Sequence, residues 1–178
     1  MLVAPVDLDD PATPPDVRQA AEAEIARAGR LTNMKSVLLR SMPAFGLFAA
    51  VLPLKAELQA QLGLRAVDVY SLAISEGTGC LLCSLYFRRA LRGHGIDPAE
   101  FAPTPDEEAL IALARHLAEA RGEGAPPPEA VAALRARHGE AVALNAVAYG
   151  AGMVATNLLN TTLGIPVDDD LAAGTHAA

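Results

Sequence analysis

The chain has 178 residues, of which 52% are hydrophobic, enough for one domain with a core or with a core plus a buried interface. A net charge of -7 and the absence of any lysine or arginine run exclude a nucleic-acid or anionic-membrane surface, because binding phosphate depends on clustered positive charge. Small molecules and other protein chains are the expected partners.

In chain order, the opening "MLVAPVDLDDPATPPDV" is acidic and broken by proline, without the basic and apolar regions of a secretory signal, so a cytoplasmic location is expected. Thr13-Pro14-Pro15-Asp16 reads as a capped helix start, and "DVRQAAEAEIARAG" continues in good helix formers to a glycine stop. Asn33 is placed to cap "MKSVLLRS", Pro43 interrupts the pattern before "AFGLFAAVL", and Pro53 opens "LKAELQAQLG". From Leu64, "LRAVDVYSLAIS" is almost wholly of buried type and runs into the turn Gly77-Thr78-Gly79.

The cysteine-bearing helix, "CLLCSLYFRRALRGHG", follows that turn. Thr104-Pro105-Asp106-Glu107 has the spacing of a capping box with proline at the first helical position, and Leu110, Leu113, Ala114 and Leu117 give the next helix an apolar face. "GEGAPPP" reads as a surface connector and "EAVAALRARHG" as a short helix. Ala141 to Val167 then carries no Asp, Glu, Lys or Arg. Asn145, Tyr149, Thr156 and Asn160 recur along it at helical spacing, a polar stripe that lipid would penalise, so a buried helix is expected rather than a membrane span. Asp168, Asp169 and Asp170 read as a solvated terminus. No alternating strand pattern is present, and the expected fold is all-α: an N-terminal segment with one helix over 1–32, a helical domain over 33–168, and a flexible tail over 169–178.

The chemistry concentrates in Cys80 and Cys83, the chain's only cysteines. Residues three apart on a helix share a face, so the pair can reach disulfide distance, and a helix start lowers the pKa of a thiol there. Two cysteines so close cannot staple a domain by closing a long loop. The residues leave three readings: a redox pair, half of a metal site, or two small core side chains. Metal is disfavoured, since zinc wants four ligands and His94 would lie roughly 16 Å from Cys83 along the helix at about 1.5 Å per residue; His116 and His138 sit on charged helical surfaces. No cofactor is expected. Asp68, isolated within the apolar run "AVDVYSLAI", needs a partner, and Glu76, in the turn before the cysteines, is placed to reach them. Tyr86 reads as packing.

The cysteine motif in this setting, Arg65 with Asp68 three residues on, the following "ALRGHGID" and the closing "LLNTTLGIPVD" together resemble the carboxymuconolactone decarboxylase and alkyl hydroperoxidase D superfamily over roughly Pro43 to Asp168. The resemblance implies an alkyl hydroperoxidase D-like helical bundle and a thiol oxidoreductase that reduces peroxides or disulfides. It further implies that Cys83 attacks the substrate, Cys80 resolves the intermediate as a disulfide, Asp68 in the place of the family's glutamate assists deprotonation, and an external thiol reductant restores the pair. Phe87 stands where thiol-type members carry histidine, and a phenyl ring can neither accept nor donate that proton, so weak peroxide reactivity at neutral pH is expected. The resemblance also implies a homo-oligomer, trimeric or hexameric, with a dimer as the alternative; the charge-free face from Ala141 to Val167 suits such an interface. A non-redox decarboxylase-like enzyme on a small lactone or acid and a non-catalytic helical binding module are the rival readings. The first suffers because the chain shows no clear basic and histidine pocket.

Overall fold

The computed structural model describes residues 1–119 and 128–173, and among these every regular element is helical. Ten helices follow in order: α1 (Pro15–Ala28), α2 (Asn33–Leu38), α3 (Met42–Ala49), α4 (Val51–Leu62), α5 (Leu64–Gly77), α6 (Leu81–Gly93), α7 (Pro105–Glu119), α8 (Pro128–His138), α9 (Glu140–Leu163) and α10 (Asp169–Ala173). The expected all-α fold is found. The connector expected over "GEGAPPP" lies outside the described residues except for Pro128, which begins α8.

Helix α5 is the axis of the molecule, packed against α4, α6, α7 and α9. Its Val67, Tyr70 and Ile74 are fully buried and meet Leu110, Leu113 and Ala114 of α7 and Ala146 and Tyr149 of α9 in one core. Each large side chain so buried contributes about 1.5–3 kcal/mol. One glycine lets α5 and α9 come this close: a Cβ at Gly150 would lie 2.0 Å from the Tyr70 hydroxyl, which instead donates to the Ala146 carbonyl at 2.9 Å.

The caps follow the sequence in one case and depart from it in another. Thr104 and Glu107 make the expected reciprocal capping box, Glu107 N–H to Thr104 Oγ1 at 3.3 Å and Thr104 N–H to Glu107 Oε2 at 2.8 Å. Glu107 also takes both arms of the Arg65 guanidinium, at 2.7 and 3.0 Å. At α2 the cap is Thr32, whose hydroxyl accepts from the Lys35 amide, while the Asn33 side chain donates to the carbonyls of Pro166 and Val167. Asn33 is therefore a tie between chain ends, since its amide group finds carbonyls left free past the end of α9.

A smaller apolar cluster of Val17, Ala21 and Leu39 joins α1 to the α2 region. The first residues run along it, with Leu2 N–H donating to the Leu163 carbonyl at 2.8 Å and Val6 N–H to Ser36 at 2.9 Å. The acidic triple departs from the expected solvated terminus. Asp168 is buried, accepts the Asn33 amide at 2.7 Å and faces Arg30 at 3.4 Å. Asp169 and Asp170 begin α10, and Asp170 pairs with Arg30 and Arg89 at 2.8 and 2.7 Å. Over 169–173 the expected flexible tail is helical, with Asp170 held by the guanidinium groups of Arg30 and Arg89, and the rest of it lies outside the described residues.

Candidate functional site

The two cysteines owe their position to how α5 stops. Gly77 ends the helix, and Gly79 turns the chain with φ 69, a left-handed conformation that glycine adopts without strain. Cys80 follows in extended conformation as the residue before α6, its N–H bonded to the Ser75 carbonyl at 3.0 Å, and Cys83 falls in the first turn. The turn is pinned from α9: Asn157 Nδ2 donates to Thr78 Oγ1 at 2.8 Å. Cys80 and Cys83 are buried free thiols 3.5 Å apart.

That proximity makes the two thiols unequal. The hydrogen bond from the Cys83 thiol, with help from Thr161 and Asn160, pulls Cys80 down to about 6. Cys83 is pushed up, first by its bond to Cys80, then by burial, with the charge of Asp168 adding to this. Asn160 Nδ2 donates to Cys83 Sγ at 3.4 Å and works in the other direction. The two thiols therefore titrate as one coupled pair, and the charge that the pair carries once it loses a proton is shared through their hydrogen bond.

Cys83 also reaches the wall of a cavity of about 550 Å³, which Cys80 does not line. The wall is mostly apolar, with Phe45, Phe48, Leu52, Phe87 and Met153 among its residues, and Tyr149 and Asn160 enter it from α9. Five cationic side chains line it as well: Arg27, Arg30, Lys35, Lys55 and Arg89. No clear basic and histidine pocket was expected; the cavity corrects the basic half of that expectation, and no histidine is among its lining residues. The cations come from α1, α2, α4 and α6 and the loop after α1, so no run in the sequence announces them.

Asp68 is buried on α5, where its carboxylate is hydrogen-bonded by His94 Nε2 at 3.1 Å and faces Lys55 Nζ at 3.3 Å. The partner that the apolar run demanded is thus a lysine from α4 and a histidine from the end of α6, and neither cysteine hydrogen-bonds to Asp68. Glu76 lies in the last turn of α5, half exposed, and its Oε1 accepts from Arg88 at 2.7 and 3.1 Å. An arginine one helix away holds Glu76 outward, so it is not brought to the cysteines. Phe87 is buried, edge-on to Tyr86 with centroids 5.0 Å apart.

Lys55 and Asn160 are the site residues that sequence reasoning underused. Asn160 was visible as part of the polar stripe, but only the folded packing of α9 against the cysteine turn shows that it serves a thiol. Among the described residues no group of three or more His, Cys, Asp or Glu is arranged to hold a metal ion. By length and composition α9 could cross a membrane, yet it packs against α4, α5, α7 and α8, and Tyr149, Asn157 and Asn160 on it are buried within the protein. Comparison of the chain with protein-family models, curated proteins and solved structures finds no match.

Proposed function

We propose that the protein is a thiol-dependent oxidoreductase that reduces a peroxide or disulfide with Cys83 and Cys80, as the resemblance to the alkyl hydroperoxidase D type implies. The observation that carries this reading is the position of the pair: two free thiols 3.5 Å apart, of which Cys83 lines the cavity. In the reaction, the ionised pair shares one proton, and in the form with that proton on Cys80 the Cys83 thiolate attacks the outer oxygen of a hydroperoxide. The O–O bond breaks, an alcohol leaves with a proton from solvent, and Cys83 becomes a sulfenic acid. The Cys80 thiol then attacks that sulfur, forming the disulfide and expelling water. Overall, two thiols and a hydroperoxide give a disulfide, an alcohol and water. A disulfide substrate follows the same order, with a mixed disulfide at Cys83. An external thiol donor returns the pair to the reduced state.

In this account Cys80 holds the proton that the family routes through histidine, a slower route than one with a dedicated base at position 87. Asp68 acts at a distance by holding Lys55 and His94. The test is intact-mass measurement of the reduced protein after one equivalent of hydroperoxide. Loss of two hydrogens in the wild type, a trapped sulfenic acid in Cys80→Ser and no oxidation in Cys83→Ser support the reading, and two free thiols in the oxidised wild type overturn it.

A homo-oligomer belongs to the same reading. Leu144, Ala151, Ala155 and Leu158 are exposed along α9 at spacings of seven, four and three, an apolar stripe of the kind that pairs helices.

A further inference from the structure

Two polar groups beside the cavity have unused hydrogen-bonding capacity. Lys55 Nζ forms an ion pair with Asp68 Oδ1 at 3.3 Å without hydrogen-bond geometry, so the ammonium keeps donors to spare. Lys55 makes no hydrogen bond among the described residues. Its ammonium stands instead over the faces of Phe87 and Tyr86, 4.9 and 5.8 Å from their centroids, at the cavity wall. Asn160, whose Nδ2 is committed to Cys83, has a buried Oδ1 without a partner. One site thus wants an anion and the other wants a donor O–H; the first stands over the ring of Phe87, four residues after Cys83, and the second is hydrogen-bonded to Cys83.

The remaining charges decide what kind of anion. Lys35 and Arg27 both clasp Glu24, and Arg30 and Arg89 are taken up by Asp168 and Asp170. With Lys55 set against Asp68, five lining cations meet four carboxylates, so the wall as a whole carries a surplus of one positive charge, which arises where Lys35 and Arg27 share Glu24. A single surplus charge with one set of open ammonium donors matches a monoanion better than a phosphate dianion, and a largely apolar wall of this size suits an organic body.

We propose that the cavity is built for an organic hydroperoxide that carries a carboxylate. Its carboxylate bonds to Lys55, its hydrocarbon body lies along the apolar wall, and its O–O–H donates to Asn160 Oδ1 beside Cys83. The redox balance is the one given above, with the carboxylate unchanged in the alcohol product. This rests on the thiol oxidoreductase reading for the peroxide end and on the cavity alone for the carboxylate end.

The test reads binding without turnover. Decanoate and decanamide, of equal chain length and neither able to oxidise a thiol, are titrated calorimetrically into the full reduced chain at neutral pH. Decanoate is expected to bind at least about tenfold more tightly, an advantage worth about 1.4 kcal/mol, and to lose it as salt is raised. Lys55→Gln should bring the two ligands within about threefold and Lys55→Arg should keep most of the preference. Equal binding of the two by the wild type, no binding of either, or an undiminished preference in a folded Lys55→Gln protein would overturn the proposal. Because the wild-type comparison needs no variant, a poorly folded Lys55→Gln leaves the test intact. Failure here with disulfide formation intact removes the substrate class alone; carboxylate binding with two inert thiols removes the redox reading.

Discussion

The ε-ammonium of Lys55 lies 4.9 Å from the centroid of the Phe87 ring, on the helix turn that follows Cys83. A cation therefore occupies the neighbourhood where thiol-type members of the resembling superfamily use histidine, and it reaches that place from α4 rather than along α6.

Phe87→His tests whether the position still matters. An imidazole there, beside the Lys55 cation, is held in its neutral form and can take a proton, so faster peroxide consumption at neutral pH is expected. The change also removes a buried ring that packs edge-on against Tyr86, at a cost of about 1–3 kcal/mol. Thiol-loss kinetics and a urea melt separate the two effects. A folded variant with an unchanged rate would show that Cys80 alone governs the proton.

The thiol pair gives stability a distinctive dependence on pH. Cys80 has a folded pKa of about 6 against an ordinary 9.0, so its contribution is fully present above 9.0 and is lost as pH falls through 6. Cys83 is shifted upward, so above 9.0 the unfolded chain releases a proton that the folded protein keeps, and its contribution declines. Subtracting the urea-midpoint profile of Cys80→Ser from that of the wild type should leave a curve that rises between pH 6 and 9. Parallel profiles would contradict the shared proton.

Gly150→Ala should be strongly destabilising although it adds only a methyl group. Its Cβ would meet the Tyr70 hydroxyl at 2.0 Å, forcing α5 and α9 apart or breaking the bond to Ala146. A loss of about 1–3 kcal/mol or more is expected, seen as a lower Tm in calorimetry. A melt like that of the wild type would mean that the two helices separate without cost.

The oligomer prediction turns on the α9 stripe. Leu144 and Leu158 are 67% and 55% exposed, and a charge at each should abolish helix pairing without touching the core. Light scattering should give a multiple of 18.4 kDa for the wild type and the single-chain mass for Leu144→Glu with Leu158→Glu. A single-chain mass for the wild type contradicts it.

Much of this molecule is legible in one dimension because its signals are local. The Thr104–Glu107 box, the glycine turn before Cys80 and the charge-free run of α9 after Glu140 all follow from residues a few positions apart. What escaped the sequence is long-range charge pairing. Asp168 reads as solvated until Asn33 and Arg30 are brought to it, Glu76 reads as available until Arg88 takes it, and Asp68 demands a partner without naming Lys55 or His94. Such pairs join residues up to 138 positions apart, as in Arg30 with Asp168, and no periodicity encodes them.

The central claim is that Cys80 and Cys83 act as one redox unit, and titration of the thiols by mild oxidant measures it most directly. Reduced protein treated with one equivalent of hydroperoxide should lose both free thiols together, gain an intramolecular disulfide mapped to Cys80 and Cys83, and recover both thiols with an external dithiol. Two thiols still free after oxidant, or a stable sulfenic acid at Cys83 that Cys80 does not resolve from 3.5 Å away, would contradict the account.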